Sequence, residues 1–266
     1  MDSIKQAVEL ARAADAPGQS AIAPEVVRRG SVDPAIRGAQ LSPAHLERSR
    51  IVAQDSATPQ GRYYDMLRTQ ILQEMDKKSW QFLAITSPTA GCGKTVTACN
   101  LAISIARLAE RSVLLVDLDL RRPTVANYLG VQGTGGVMSV LEGRAPLSSA
   151  VMQVNVGPTN FLVLPGTVSS SSSSEWMASQ TMGTLLQTIK REFRSRIVIF
   201  DLPPMLLGDD VISILPRMDA TLLVAGVGAT TVADVKECQK HLQRSPVIRV
   251  VVNKAQETPD SYYGYY

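Results

Sequence analysis

The fold is decided by residues 82–95, which read Phe-Leu-Ala-Ile-Thr-Ser-Pro-Thr-Ala-Gly-Cys-Gly-Lys-Thr. A short apolar run, typical of a strand, leads into a glycine-containing loop, and apolar residues at helical spacing follow as far as about Glu110. Gly91 and Gly93 allow the backbone to curl so that successive N–H groups point inward, and a helix that begins near Lys94 adds a partial positive charge. The stretch therefore predicts a phosphate-binding loop between a strand and a helix.

The loop follows the pattern G-x-x-x-x-G-K-[ST] except at its first position, where Pro88 replaces glycine. In this pattern the lysine, here Lys94, reaches the β- and γ-phosphates, and the hydroxyl of Thr95 ligates Mg²⁺. ATP with Mg²⁺ is therefore the predicted ligand. The loop residues predicted to contact it are Gly91, Cys92, Gly93, Lys94, Thr95 and Val96.

A second motif, Asp117-Leu-Asp119-Leu-Arg121-Arg122-Pro123, follows a continuous apolar run. Its two aspartates are two residues apart, so in an extended segment their side chains share one side. Carboxylates at that end of a sheet hold Mg²⁺ and accept a proton from an attacking hydroxyl. We expect Arg121 and Arg122 to neutralise a transferring phosphate.

A third motif places Asp201, followed by Leu-Pro-Pro, at the end of another apolar run. This is the Walker B arrangement, in which the aspartate helps to hold Mg²⁺. The predicted metal ligands are therefore Thr95, Asp117 and Asp201. The predicted catalytic residues are Lys94, Asp117, Asp119 and Asp201.

Apolar runs and amphipathic stretches alternate along residues 61–255. Strands are predicted at 81–86, 112–116, 161–164, 196–200, 220–225 and 247–252, and helices at 61–77, 94–110, 175–192, 207–215 and 231–243. The alternation predicts an α/β fold, a doubly wound and mostly parallel sheet with helices on both faces. Ligands in such folds bind at the carboxyl ends of the strands, where the three motifs fall.

The chain is predicted to have three parts. Residues 1–60 form a short amphipathic helix at 3–14 and a flexible linker, residues 61–255 form the nucleotide-binding domain, and residues 256–266 form a mobile tail. The six serines at 169–174 are expected to form a flexible surface loop, either plain or acting as a lid.

Composition argues against several classes. The chain has 266 residues with a net charge of +3, from 27 basic and 24 acidic residues, which is too even to indicate nucleic acid or an acidic membrane surface as a partner. Cys92, Cys99 and Cys238 have no paired spacing, so a disulfide scaffold or a zinc site is disfavoured. No secretory signal or run of 18 apolar residues occurs, so we expect a cytoplasmic protein that meets a membrane through a partner.

The chain closes with Ser261-Tyr262-Tyr263-Gly264-Tyr265-Tyr266, which holds four of its seven tyrosines. Composition alone would place far fewer there. One interpretation is an aromatic end that packs on the surface. The other is a cluster of hydroxyl groups that accept phosphate.

These elements, in this order, make residues 60–266 resemble the bacterial tyrosine kinases (BY-kinases), also called the CpsD/CapB exopolysaccharide group. The fold implied is that of the ParA/MinD-like P-loop NTPases. The runs Glu175-Trp-Met-Ala-Ser and Arg196-Ile-Val-Ile-Phe-Asp201 look most like the branch found with exosortase-type exopolysaccharide loci.

The resemblance implies an ATP-dependent kinase that phosphorylates the tail tyrosines of a neighbouring copy, Tyr262, Tyr263, Tyr265 and Tyr266. Asn253 and Lys254 match a segment that touches adenine in related ATPases. The implied partners are a membrane-embedded regulator of polysaccharide chain length, a cognate tyrosine phosphatase and other copies of the chain, at the inner face of the plasma membrane. This chain would be the soluble half of a split system.

Two positions depart from the family pattern. Relatives often carry Glu-x-x-Arg-x-x-Arg on the helix before the first strand, where it helps to close a ring of subunits, but the aligned residues here are Arg62, Asp65 and Arg68. Cys92 lies inside the phosphate loop, either as a side chain that faces away from the phosphates or as an oxidisable thiol with a lowered pKa.

Two other functions remain open on the sequence. A ParA/MinD-type ATPase switch shares the fold, although its members usually carry a lysine where this chain has Thr89. A non-catalytic ATP-binding regulator that presents its tail to a partner is the other, and Pro88 and the altered helix keep it open. The tyrosine tail and Thr89 favour the kinase.

Overall fold

The structure is a computed structural model that describes residues 37–133 and 135–255. Its strands are β1 (Gly38–Gln40), β2 (Phe82–Thr86), β3 (Val113–Asp117), β4 (Met152–Val156), β5 (Thr159–Leu164), β6 (Ile197–Asp201), β7 (Ala220–Gly226) and β8 (Val247–Asn253). Its α-helices are α1 (Pro43–Arg48), α2 (Pro59–Lys78), α3 (Lys94–Ala106), α4 (Val125–Leu129), α5 (Gly136–Leu141), α6 (Leu147–Ala150), α7 (Ser173–Ala178), α8 (Gln180–Glu192), α9 (Asp210–Ile214) and α10 (Val232–His241).

The eight strands form one sheet in the order β1-β4-β5-β3-β6-β2-β7-β8. All neighbouring strands run parallel except β4 and β5, which are antiparallel. Every residue of β2, β3, β6 and β7 is buried, because these central strands are continuous apolar runs covered by helices on both faces. The predicted α/β fold with a mostly parallel sheet is confirmed.

Two strands were not predicted, and both lie toward one edge of the sheet. β4 alternates buried and half-buried residues, as its sequence Met-Gln-Val-Asn-Val suggests for an edge-proximal strand. β1 has three residues, too few to carry a pattern, and it pairs with β4 in parallel. Sequence periodicity misses β1 because the strand is so short and because its partner, β4, is distant in sequence.

Residues 38–53 were predicted to lie in a linker or an extended wrap, and the structure packs them against the core of the domain. Leu41, Leu46 and Ile51 are buried in the same core cluster as α3. The buried side chain of Asn100 on α3 accepts hydrogen bonds from the backbone of Val52 and Ala53, at 2.7 and 2.9 Å. The segment is held by the polar side chains of Asn100 and Arg107 and by a few buried apolar residues, which a composition rich in small residues conceals. The predicted helix at 3–14 lies outside the described residues.

One helix prediction and one loop prediction also need correction. The stretch 175–192 is two helices, because Ser179 is extended and its hydroxyl accepts a hydrogen bond from the N–H of Met182, which starts α8 afresh. The serine run is not wholly a loop, since Ser173 and Ser174 begin α7 and Ser173 is buried.

The altered helix α2 is joined to the helix that follows the phosphate loop. The Asp65 carboxylate accepts hydrogen bonds from Arg68 at 3.0 Å, Arg107 at 2.9 Å and the Ser104 hydroxyl at 2.6 Å. Arg68 also donates to the Ser104 carbonyl. These charges therefore bind within the chain, and Asp65 links α2 to the last two turns of α3.

Candidate active site

The phosphate loop lies between β2 and α3, and its two glycines have backbone angles that other residues rarely adopt. The φ angles are 76° at Gly91 and 93° at Gly93. A Cβ on Gly93 would also collide with the side-chain amide of Asn253. α3 begins at Lys94, so its free N–H groups face the end of the loop. The backbone is thus shaped for a phosphate group as the sequence predicts.

Lys94 lies among carboxylates. Its Nζ is 2.8 Å from Oδ2 of Asp119 and 3.5 Å from Oδ1 of Asp201, and its side chain is 12% exposed. Burial alone would lower the pKa of Lys94, but the negative charges of Asp201 and Asp119 outweigh it and raise that pKa. The lysine is therefore charged and neutralises two aspartates.

Asp201 and Thr95 form the second part of the cluster. The Thr95 hydroxyl donates to Oδ2 of Asp201 at 2.6 Å, and Asp201 is fully buried. Oδ1 of Asp201 accepts no hydrogen bond among the described residues, although the Lys94 ammonium lies near it. Burial raises the pKa of Asp201, and the Lys94 charge and the Thr95 hydroxyl partly offset that rise. A cation beside Asp201 would satisfy the orphaned oxygen.

Asp117 lies directly opposite Asp201, because β3 and β6 are neighbours in the sheet. Its Oδ2 accepts the backbone N–H groups of Thr124 and Val125, at 2.9 and 3.0 Å, and its Oδ1 accepts the N–H of Asp119 at 3.2 Å. Burial and the Asp201 charge raise the pKa of Asp117 to about 7. Asp117 therefore orders the turn that carries Asp119 and the start of α4.

The donors at this end of the sheet are suited to Mg²⁺. No cluster of three or more His, Cys, Asp or Glu side chains able to hold a metal occurs in the described ranges. Mg²⁺ in nucleotide sites is held by one or two protein oxygens together with phosphates and water. The Thr95 hydroxyl and the Asp201 carboxylate supply such a set, with Asp117 adjacent.

Arg121, which was predicted to contact phosphate, forms an ion pair with Asp210. Its guanidinium donates to Oδ2 of Asp210 at 2.7 Å. Asp210 begins α9 and its side chain is 3% exposed. The sequence analysis missed Asp210, and the adjacent acids Asp209 and Asp210 after the Walker B segment were the available signal.

The two residues predicted to contact adenine, Asn253 and Lys254, lie at the end of β8, and Asn253 contacts the phosphate loop. The Asn253 amide donates to the carbonyl of Cys92 at 2.9 Å. Lys254 follows with φ of 61° and is exposed. Val96 is half-buried and packs against the core. Asn253 therefore holds the backbone of the phosphate loop from the side of β8.

The thiol of Cys92 is buried on the side of the loop that faces β7. It donates to the Thr89 carbonyl at 3.2 Å and lies 3.3 Å from the Thr230 hydroxyl. Burial would raise the pKa of Cys92, but the hydrogen bonds with Thr230 and Thr89 lower it below its ordinary value. The thiol packs against the β7–α10 turn. The four tail tyrosines lie outside the described residues.

Comparison with known proteins shows the family to which the chain belongs. Residues 83–262 match the CobQ/CobB/MinD/ParA nucleotide binding domain. The tyrosine-protein kinase CpsD of Streptococcus pneumoniae is 30% identical over 77% of this chain and 89% of its own length. The putative tyrosine-protein kinase EpsB of Ralstonia solanacearum is also 30% identical, over 75% of this chain but 26% of its own length.

Among solved structures, the kinase domain of the Escherichia coli tyrosine kinase ETK superposes with a TM-score of 0.69 and 26% identity, covering 81% of this chain and 85% of that one. Fold and site thus define a nucleotide-binding domain of the CobQ/CobB/MinD/ParA class. Within that class, the chain belongs to the bacterial tyrosine-protein kinase family of CpsD. Among the described helices, none combines the length and the apolar character needed to cross a membrane.

Proposed function

We propose that this chain is an ATP- and Mg²⁺-dependent protein-tyrosine autokinase of exopolysaccharide synthesis or export, which phosphorylates its C-terminal tyrosines in trans. The observation that supports ATP chemistry is the convergence of Lys94, Thr95, Asp119 and Asp201 beside a glycine loop, at the carboxyl ends of adjacent strands. Tyrosine as the acceptor is supported by the kinase relatives and by the cluster at Tyr262, Tyr263, Tyr265 and Tyr266.

The residues divide the work as follows. The N–H groups of the loop and the start of α3 bind the phosphates, and Lys94 neutralises their charge as it leaves Asp119. The Thr95 hydroxyl and the Asp201 carboxylate would hold Mg²⁺, which would supply positive charge to the phosphates.

Asp119 is the base that we propose for the incoming tyrosine hydroxyl. Among the residues that the structure describes, its Oδ2 is paired only with the Lys94 ammonium, whereas both oxygens of Asp117 accept backbone N–H groups. When Lys94 turns to phosphate, Oδ2 of Asp119 becomes free to accept the hydroxyl proton. Asp117 holds the turn on which Asp119 sits, so its contribution is to orientation.

The proposed setting is the inner face of the plasma membrane, reached through a membrane-embedded chain-length regulator, with a tyrosine phosphatase reversing the modification. The length of EpsB supports it, because the matching part of that relative belongs to a much longer chain. The ATPase-switch alternative is less well supported, since the kinase relatives match at higher identity than the plasmid partition protein of Borrelia burgdorferi, which is 17% identical.

The decisive test is phosphotyrosine mapping by mass spectrometry after incubation of the purified chain with ATP and Mg²⁺. We expect label on the tail tyrosines, and we expect Lys94→Ala to abolish it. An unlabelled tail, both alone and with the regulator's cytoplasmic segment, would overturn the kinase assignment, and ATP hydrolysis without label would instead favour a switch.

Transfer between copies is tested by mixing two variants. One carries Lys94→Ala with an intact tail, and the other carries an intact site with all four tail tyrosines replaced by phenylalanine. Label on the Lys94→Ala chain is expected if the transfer occurs in trans. Label confined to unmixed wild-type protein would show that transfer occurs within one chain.

A further inference from the structure

The Arg121–Asp210 ion pair joins two segments that flank the site. Arg121 lies in the turn after β3, two residues beyond Asp119, and Asp210 lies at the end of the segment that follows β6. The guanidinium is 44% exposed while the carboxylate is 3% exposed. A buried carboxylate is costly without a counter-charge, so Asp210 fixes Arg121 more strongly than an exposed pair would.

The segment after β6 is in turn fastened to the phosphate loop. The N–H groups of Met205 and Leu206 donate to the carbonyls of Ser87 and Pro88, at 2.8 and 3.1 Å. The Thr86 hydroxyl donates to the Pro203 carbonyl at 2.7 Å. Pro88 lacks an N–H group, but its carbonyl contributes to this seam. The segment that carries Asp210 therefore moves with the phosphate loop.

The turn that carries Arg121 is also the turn that carries Asp119. The N–H of Arg122 donates to Oδ1 of Asp119 at 3.0 Å, and Lys94 binds Oδ2 of the same carboxylate. Gly208 leaves room for the ion pair, since a Cβ there would lie 2.9 Å from both the Arg121 and the Asp210 side-chain atoms. The Arg121–Asp210 pair thus completes a series of contacts that runs from the phosphate loop, through the segment after β6, to the turn that carries Asp119.

We propose that Arg121 and Asp210 are positioning residues, which hold Asp119 in register with Lys94, and that Arg121 does not itself contact the phosphates. This inference rests on the proposed kinase function for its rate effects, but not for its structural effects. It changes the role expected of Arg121 from the sequence.

A double-mutant cycle with Arg121→Gln, Asp210→Asn and the double variant tests the proposal. If the two residues act as one unit, we expect each single change to lower kcat for autophosphorylation about tenfold or more, with KM for ATP changed less than about threefold. The double variant should be no slower than the slower single variant. Arg121→Gln leaves the buried Asp210 carboxylate without its counter-charge, which could impair folding. The double variant has no such carboxylate, so the cycle can still be interpreted if that single variant folds poorly.

A second readout needs no nucleotide. Hydrogen exchange of the backbone amides at 118–124, measured on the ligand-free chain, should become faster to the same extent in all three variants. The matched control is the exposed ion pair between Asp76 on α2 and Arg111 in the turn after α3, which are 2.6 Å apart. Arg111→Gln and Asp76→Asn should leave both kcat and the exchange rates at 118–124 unchanged.

Three outcomes would overturn the positioning role. Losses that multiply in the double variant would show that Arg121 acts independently of Asp210, as a phosphate contact would. Unchanged kcat, or unchanged exchange at 118–124, would show that the pair does not hold Asp119. If the wild-type tail is never labelled, the proposed function fails, and the exchange measurement still decides whether the pair orders this turn.

Discussion

The Nζ atom of Lys94 lies 2.8 Å from Oδ2 of Asp119, so the cation proposed to bind phosphate and the proposed base neutralise each other. The two groups cannot perform their proposed roles while they remain paired. Nucleotide binding would therefore activate both at once, since phosphate draws Lys94 away from Asp119.

Removal of the lysine charge should destabilise the ligand-free chain. Lys94→Met leaves Asp119 and Asp201 without their shared counter-charge, and we expect a loss of about 3 kcal/mol in the free energy of unfolding at pH 7. Urea denaturation in metal-free buffer measures it. The exposed substitution Lys240→Met, which removes a surface pair with Glu237, should leave the free energy of unfolding nearly unchanged. Equal losses in the two variants would contradict the buried network.

The raised pKa of Asp117 predicts a pH dependence of stability. Its ordinary pKa is 3.8 and its pKa in the folded chain is about 7, so the folded state binds an extra proton between these two pH values. The free energy of unfolding should therefore fall as pH rises from about 4 toward about 7 and this contribution should level off above pH 7. Asp117→Asn should flatten that part of the curve, measured by urea denaturation of the metal-free chain. A wild-type curve that rises through this window and is unchanged by the substitution would exclude a raised pKa.

Gly93→Ala should impair nucleotide binding more than stability alone explains. An alanine at this position would be strained by the left-handed backbone at φ of 93°. Its Cβ would also displace the Asn253 amide from the Cys92 carbonyl. We expect the dissociation constant for Mg·ADP, measured by calorimetry, to rise at least tenfold. Gly143→Ala is the matched control, because Gly143 has φ of 70° with open space around it, and it should cost about 1 kcal/mol of stability without changing ADP affinity.

Asp65→Asn should loosen α2 from α3. The substitution removes a charge that binds Arg68, Arg107 and Ser104, and we expect a loss of roughly 2 kcal/mol in unfolding free energy. Asp76→Asn breaks an exposed pair on the same helix and should cost less than about 1 kcal/mol. A loss at Asp65 no greater than at Asp76 would show that the network contributes little.

The central sheet and the cluster around Lys94 could be predicted because both are encoded locally. Continuous apolar runs specify buried parallel strands, and aspartates at their ends must meet at one edge of the sheet. Asp117 and Asp201 illustrate this, since the pairing of β3 and β6 places them opposite each other. Their chemistry follows from position alone.

The parts that escaped prediction depend on contacts between distant residues. Asn100 holds Val52 and Ala53, and nothing in the sequence around 50 reveals that partner. The pairing of Arg121 with Asp210, which lies 89 residues away, was not predicted, and the assignment of Arg121 to phosphate stays a prediction. Side-chain direction at the end of a strand is decided by such partners, which spacing does not encode.

The contact between Asn253 and Cys92 has a consequence for the acceptor tyrosines. β8 ends at Asn253 on the flank of the phosphate loop, so that is where the remaining chain is tethered. Fully extended, residues 254–266 reach about 45 Å at most. Each hydroxyl proposed to accept phosphate would therefore stay within about 45 Å of Asn253, and a neighbouring chain could receive it only by bringing its own site within that radius. Transfer between two chains would then depend on the distance between their domains. Once two domains are held together, the local concentration of acceptor hydroxyls would be on the order of millimolar.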